Sequence, residues 1–217
     1  MIRSTFENQL EKLTKNVILM GALCEDAISK SVQFLKKDDS YLVNNVIKTY
    51  QKIEQSERDI EEQCLKLLLR QQPVAKDLRY VSAALKMVYD MKRIGAQAAE
   101  IGEIVNQGHI QPGPELEHLK KMANHVVGMV TTSIDAFVYE NEKMANQVIC
   151  SDSTVNQDFD TIKVNLMTYF SGKDVDGEHA IDVLMIAKYI ERIGDHTVNI
   201  AKWVIFSITG QLDGDDI

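Results

Sequence analysis

The stretch Lys188-Tyr189-Ile190-Glu191-Arg192-Ile193-Gly194-Asp195-His196-Thr197-Val198-Asn199-Ile200-Ala201 carries two patterns at once. Its apolar residues extend into the series Ile186, Ile190, Ile193, Ile200 and Val204, at spacings of three, four and seven. That is the repeat of one buried helix face. Its oxygen-bearing residues Glu191, Asp195 and Asn199 fall at i, i+4 and i+8 and make a stripe on the opposite side. The stretch also has a counterpart. Arg192-Ile193-Gly194 matches Arg93-Ile94-Gly95, displaced by 192 − 93 = 99. Upstream, Gln157 and Ile162 match Gln55 and Ile60, each displaced by 102. The change of three residues is absorbed in the connection around Gln72-Pro73 against Gly172-Lys173. Two matching blocks in the same order read as an internal duplication.

Outward from this stretch the helix period persists. Leu10, Leu13, Val17 and Met20 continue as Ile28, Val32 and Leu35, and Val81, Leu85, Val88, Met91 and Gly95 form a further series. No segment sustains the alternation of a strand. Pro73 stands alone, while Pro112 and Pro114 lie in Gly108–Pro114 and break the chain near its middle. The spacing predicts six helices over 3–36, 39–70, 74–107, 115–140, 142–170 and 177–209. Asp38-Asp39-Ser40 offers capping oxygens between the first two, and Pro73 suits the first turn of the third. The expected fold is all-α, with two tandem, internally duplicated three-helix bundles of long antiparallel helices. The repeats are placed at 1–108 and 115–210, followed by an acidic tail at 211–217.

Composition narrows the function. Apolar residues make up 45% of the 217, with only three prolines and eleven glycines, which suits a helical globular chain and not a strand-rich sandwich. Thirty-two acids against 24 bases give a net charge of −8, which argues against a nucleic-acid backbone as partner. The longest run free of Asp, Glu, Lys and Arg is the 13 residues Met122–Ile134, too short for a bilayer, which takes about 17–25. Direct membrane insertion is therefore not expected. Arg3, Glu7, Glu11, Lys12 and Lys15 precede any apolar run, unlike a signal peptide. Cys24, Cys64 and Cys150 are scattered, as in a protein of the reducing cytoplasm.

Asp152, Asn156 and Asp160 repeat the i, i+4, i+8 oxygen stripe on the helix before Glu191, Asp195 and Asn199. Two such stripes, facing each other, would present four carboxylates and two amides. Oxygen-only donors suit Mg²⁺, Mn²⁺ or iron, and facing helices are where bundles build such centres. The competing reading is a solvated charge stripe balanced by Lys188, Arg192 and Lys202. The five histidines share no HxxxH or HExxH spacing, and no Gly-rich loop follows a strand. Gly95 and Gly194 sit mid-helix, where glycine costs about 1 kcal/mol against alanine, so each predicts a close helix contact.

Tyr189–His196 followed by Asn199-Ile200-Ala201 resembles a signature of the PhoU family, and Gln71-Gln72-Pro73-Val74-Ala75-Lys76-Asp77-Leu78-Arg79 resembles that family's other characteristic segment. The resemblance implies a cytoplasmic, often dimeric, six-helix protein of two repeats. It implies a negative regulator of the phosphate-starvation response that links the ATPase of a phosphate ABC transporter to a sensor histidine kinase. It also implies E/DxxxD metal motifs, which map onto Glu191 and Asp195 with Asp152 and Asn156 opposite, and partner contacts at Lys76, Asp77 and Arg79. The first repeat departs from the metal pattern. Lys92, Ala96 and Glu100 stand at the positions of Glu191, Asp195 and Asn199, and Tyr50, Glu54 and Arg58 at those of Asp152, Asn156 and Asp160. Any metal is therefore expected mainly in the second repeat, with fixed cations neutralising the acids of the first. Two rival readings remain open: a carboxylate-bound metalloprotein or metalloenzyme using Asp152, Asp160, Glu191 and Asp195, and a helical adaptor with no phosphate role.

Overall fold

The computed structural model describes residues 2–33, 40–71, 75–172 and 175–211, which form six helices and no strand. These are α1 (Ile2–Gln33), α2 (Ser40–Gln71), α3 (Ala75–Asn106), α4 (Glu115–Val138), α5 (Glu142–Tyr169) and α6 (Gly177–Thr209). All six expected helices are present. α4 stops two residues before the expected end because the chain turns at once into α5: Glu140 takes a left-handed φ of 47°, and the Asn141 side chain accepts from the Met144 N–H at 3.2 Å. Asp176 caps α6 in the same manner, accepting from the His179 N–H at 3.1 Å. Short side-chain oxygens thus satisfy N–H groups that the first helical turn leaves unpaired. The expected capping by Asp38 and Asp39, the placement of Pro73 and the tail beyond Gln211 lie outside the described residues.

α1, α3, α6 and α4 make a central ring, each in contact with the next. α2 packs against α1 and α3, and α5 packs against α4 and α6. The α3–α6 seam is the most extensive helix contact in the molecule, so the two repeats share one core and are not beads on a string. That core contains Leu13, Met20, Ile53, Met91, Phe137 and Ile190, all fully buried. Phe137 stacks on Tyr80 with ring centroids 4.4 Å apart, and the Tyr80 hydroxyl pairs with Thr14 Oγ1 at 2.7 Å.

The duplication read from the sequence is visible in contacts. A Cβ on Gly95 would lie 2.8 Å from Ile53 and 3.2 Å from Tyr50; one on Gly194 would lie 3.4 Å from Val155 and from Asp152 Oδ1. The offsets are 155 − 53 = 102, 152 − 50 = 102 and 194 − 95 = 99, so the same positions touch in each repeat. The seam obeys the same rule. Asn199 donates to Asp90 Oδ1 at 3.4 Å, and the Tyr189 hydroxyl donates to Glu100 Oε2 at 3.5 Å. Since 199 − 100 and 189 − 90 both equal 99, each bond is the image of the other across a pseudo-two-fold between antiparallel α3 and α6.

Candidate functional site

Gly194 lies where α5 packs on α6, and Asp152 is carried to that point. Asp152 Oδ2 accepts from Asn156 at 2.9 Å, while Oδ1 is buried with no hydrogen-bond partner. Beside it stand Asp195 and Glu191. Burial pushes the Asp195 carboxyl above the usual carboxylate range, and the charges of Glu191 and Asp152 push it further. Lys188 opposes this shift and ion-pairs with Glu191. Three of the predicted oxygen donors, Asp152, Glu191 and Asp195, therefore share one neighbourhood, with Asn156 holding one of them.

The other two do not join it. Asp160 is exposed and pairs with Lys163 at 2.6 Å, one turn along its own helix. Asn199 belongs to the α3 seam, where Asp90 is buried and His196 Nδ1 lies 2.9 Å from Asp90 Oδ1. The expected stripe of Glu191, Asp195 and Asn199 is split because α6 is flanked by α5 on one side and α3 on the other. Among the described residues, no three His, Cys, Asp or Glu side chains converge to hold a metal ion. The donor chemistry suits a hard cation, but the side chains as placed do not assemble a chelate.

The first repeat neutralises the equivalent place internally. Lys92 ion-pairs with buried Glu57 at 2.5 Å, and that hydrogen bond raises the lysine's pKa against the opposing effect of burial. The fixed cation expected from the sequence is present, on Glu57 and not on Glu54 or Glu100. Arg58 turns instead to the Gln55 side chain at 2.9 Å. Glu57 was missed because its image at 57 + 102 is Phe159, so the duplication carried no hint of it.

The three expected partner-binding residues separate by environment. Lys76 is exposed and pairs with Glu140 at 2.5 Å. With Asp77 it lines a shallow cleft of about 410 Å³ that also touches Glu7, Glu11 and Tyr80. Arg79 is half-buried: its Nε points to the Ser207 carbonyl at 3.5 Å and its side chain lies under Gly210, whose φ of 81° closes α6. Neither Cys24 nor Cys64 is poised as a nucleophile, since burial pushes the first thiol up strongly and the second to about 12.

Tandem three-helix repeats around a shared core define a duplicated all-α protein. The comparisons identify which one. A family model for the PhoU domain matches residues 17–105 and again 119–204. The phosphate-specific transport system accessory protein PhoU homolog of Clostridium acetobutylicum is 31% identical over the full length of both chains. Its counterpart in Pseudomonas putida is 31% identical over 96% of this chain and 82% of its own. The crystal structure of PhoU from Pseudomonas aeruginosa superposes with a TM-score of 0.88 at 31% identity, over 95% of this chain and all of that one. The chain belongs to the PhoU family.

Proposed function

We propose that this protein regulates phosphate transport and the phosphate-starvation response by contact, without turnover. The observation that carries the reading is the double family match, one to each repeat, shared with relatives named as accessory proteins of phosphate-specific transport. Its partners on this reading are the ATPase subunit of the phosphate ABC transporter and the sensor histidine kinase of the response. It acts as a cytoplasmic homodimer that binds no nucleic acid. Among the described residues no helix is long and apolar enough to cross a membrane, which fits a role at the transporter's cytoplasmic side. Lys76 and Asp77 are the preferred contact residues, because they are accessible at one end of the bundle. A contact can alter kinase output only by binding its states with different affinity, so the complex must be reversible.

The test is deletion of the gene in a strain carrying a phosphate-starvation reporter. Derepression in high phosphate, reversed by the wild-type gene, is expected. A reporter that stays silent overturns the assignment. A second reading adds a cation, Mg²⁺, Mn²⁺ or iron, at Asp152, Glu191 and Asp195. It is favoured by the unsatisfied Asp152 Oδ1 next to an acid whose charge is already disfavoured.

A further inference from the structure

One set of contacts has no image in the duplication: those of the segment that joins the two repeats. This strap, residues 107–114, leaves α3 through Gly108, whose φ of 80° turns the chain out of the helix, and enters α4 behind Pro112 and Pro114. Between these ends it crosses the start of α6. Gln111 fixes it there twice: its backbone N–H donates to His179 Nδ1 at 3.0 Å, and its side-chain amide donates to Asp176 Oδ2 at 2.7 Å. His109 also lies on α6, with Nδ1 3.1 Å from Asp182 Oδ2 and Nε2 3.7 Å from Glu178 Oε2. Ile110, between the two, packs against the core. Two imidazole rings thus hold the strap down, one its own and one supplied by α6.

His179 is buried, and each of its ring nitrogens has a fixed task. A backbone N–H can only donate, so Nδ1 presents its lone pair to Gln111 and the single ring proton sits on Nε2, facing Glu115 Oε1 at 2.9 Å. Glu115 reaches the ring by folding over Gly113, where a Cβ would strike its carboxylate. The Tyr169 ring meets His179 edge-on at 6.0 Å, and Asp176 Oδ1 accepts from the His179 N–H at 3.1 Å. Among the described residues the titratable groups around the ring are therefore Glu115 from α4, Tyr169 from α5, Asp176, Glu178 and Asp182 at the start of α6, and His109 from the strap. A second ring proton would stand on Nδ1 against the Gln111 N–H, two donors face to face. Glu115, Tyr169 and Asp176 belong to the helices and their caps, so they attend the ring whether the strap is down or raised. What differs is the Gln111 N–H, which competes with the proton for Nδ1 only while the strap is down. The raised strap therefore binds the proton more readily, and acid favours it by linkage. His109 responds in the opposite sense, because a second proton makes it a cation between Asp182 and Glu178. The strap stays anchored at His109 and opens at Gln111.

We propose that the connector between the repeats is a proton-released strap, closed by Gln111 on neutral His179 and lifted when that ring gains its second proton. The device belongs to the second repeat alone. The image of His179 at an offset of 99 is Tyr80, which stacks on Phe137 and pairs with Thr14, so the first repeat has no imidazole at this place. Imidazole is the side chain that ordinarily titrates near about pH 6.5, within reach of a change in cellular acidity. Lifting the strap uncovers the first turns of α6 and leaves the α3–α6 seam joined, since Asp90 and Glu100 bond to Asn199 and Tyr189 farther along that helix. Release is in this way local, a change of the link between the repeats and not of their packing.

The test is nuclear magnetic resonance of the isotope-labelled full chain at about pH 7.5 and about pH 5.5, on either side of the imidazole range. At the higher pH, His179 should be the Nε2–H tautomer and the Gln111 amide should be protected from exchange with solvent. At the lower pH both ring nitrogens should carry protons. Protection of Gln111, corrected for the intrinsic pH dependence of exchange, should then fall roughly tenfold or more while buried Ile190 stays protected. His179→Gln keeps an acceptor that does not titrate, so the pH dependence at Gln111 should vanish there and persist in His109→Gln. Unchanged protection of Gln111 between the two pH values overturns the proposal, and so does a doubly protonated His179 beneath a Gln111 that is still protected. A pH dependence that survives in His179→Gln, or disappears in His109→Gln, overturns it equally. If circular dichroism shows that His179→Gln does not fold, the His179 tautomer and the Gln111 protection read together on wild type decide alone.

Discussion

Replacing Arg79 tests whether a residue that reads as a surface contact serves the fold. α6 has no basic residue in its last turn, and its C-terminal carbonyls carry the negative end of the helix dipole. Arg79 reaches across from the start of α3 and sets its guanidinium against the Ser207 carbonyl and the Gly210 cap. A cation at a helix C-terminus contributes about 0.3–1 kcal/mol when exposed and up to about 2 when partly buried, as Arg79 is. Arg79→Ala should therefore cost about 1–2 kcal/mol, and Arg79→Glu about 2–3, because attraction becomes repulsion. For a chain of this length each kcal/mol moves Tm by about 2–4 °C, so Arg79→Glu should melt about 4–12 °C below wild type. Lys76→Gln is the control: its exposed pair with Glu140 is worth under about 1 kcal/mol. Differential scanning calorimetry of the three variants decides. Arg79→Glu melting within about 1 °C of wild type refutes the capping argument, and so does an equal loss in Lys76→Gln. In the reporter strain the order should invert, with Lys76→Glu impairing repression in a fully folded protein.

Other outcomes follow from the same packing. Gly95→Ala should destabilise more than Gly194→Ala by about 1–2 kcal/mol in thermal melts, since its methyl would press Ile53 at 2.8 Å while the other meets Val155 at 3.4 Å. Gly194→Leu, by contrast, should cost about 1–3 kcal/mol, more than Asp195→Asn, which removes a disfavoured charge. The Asp195 carboxyl titrates above its unfolded range, so the folded state binds the proton more readily. Its unfavourable effect is full at neutral pH and fades as pH falls through the raised value. The stability advantage of Asp195→Asn, followed by urea titration at several pH values, should shrink as pH is lowered into the carboxylate range. If a divalent cation or iron binds, elemental analysis should find it reduced in Glu191→Ala and Asp152→Ala and unchanged in Asp160→Ala and Glu54→Ala. Loss with Glu54→Ala alone would place the metal in the first repeat.

The helices were legible because burial on one face writes itself into spacing: Ile186, Ile190, Ile193 and Val204 are all buried. The offsets of 99 and 102 were legible for the same reason, since Gly95 and Gly194 face matching positions of the preceding helix, although only Gly95 is packed too tightly for a side chain. Polar residues obey no such rule. Glu191, Asp195 and Asn199 share a stripe on α6, yet Glu191 and Asp195 lie toward α5 while Asn199 bonds to Asp90 on α3. Helical spacing names a face, and a face wide enough to touch two neighbours does not say which. Arg79 was opaque for a related reason. Its partner, the end of α6, lies 128 residues away, and the attraction is to backbone carbonyls that no residue type announces.

The two repeats share a fold but not a state of charge compensation, and that difference locates function more sharply than any single motif. On one side, Lys92 and Glu57 close the first repeat while Asp152 in the second keeps an unsatisfied buried oxygen beside two further acids. On the other, Asp26, Lys30 and Thr49 close the first repeat while Gly128, Thr132 and Ser151 leave the second open. In both places the first repeat closes itself, and in the second the closing residues are absent. A buried carboxylate oxygen left without a hydrogen bond is unfavourable, and an unfilled groove forgoes contacts, so neither feature stabilises the isolated chain. The two differ in kind: the Asp152 oxygen has no hydrogen bond, whereas Thr132 and Ser151 satisfy their hydroxyls on their own helices. Exchanging the two sets, with Gly128→Asp and Thr132→Lys rebuilding the ion pair, should stabilise the second repeat and close its groove. The double variant should melt above wild type. A variant that melts at or below wild type would show that the bridge of Asp26, Lys30 and Thr49 is not what closes and stabilises the first repeat there.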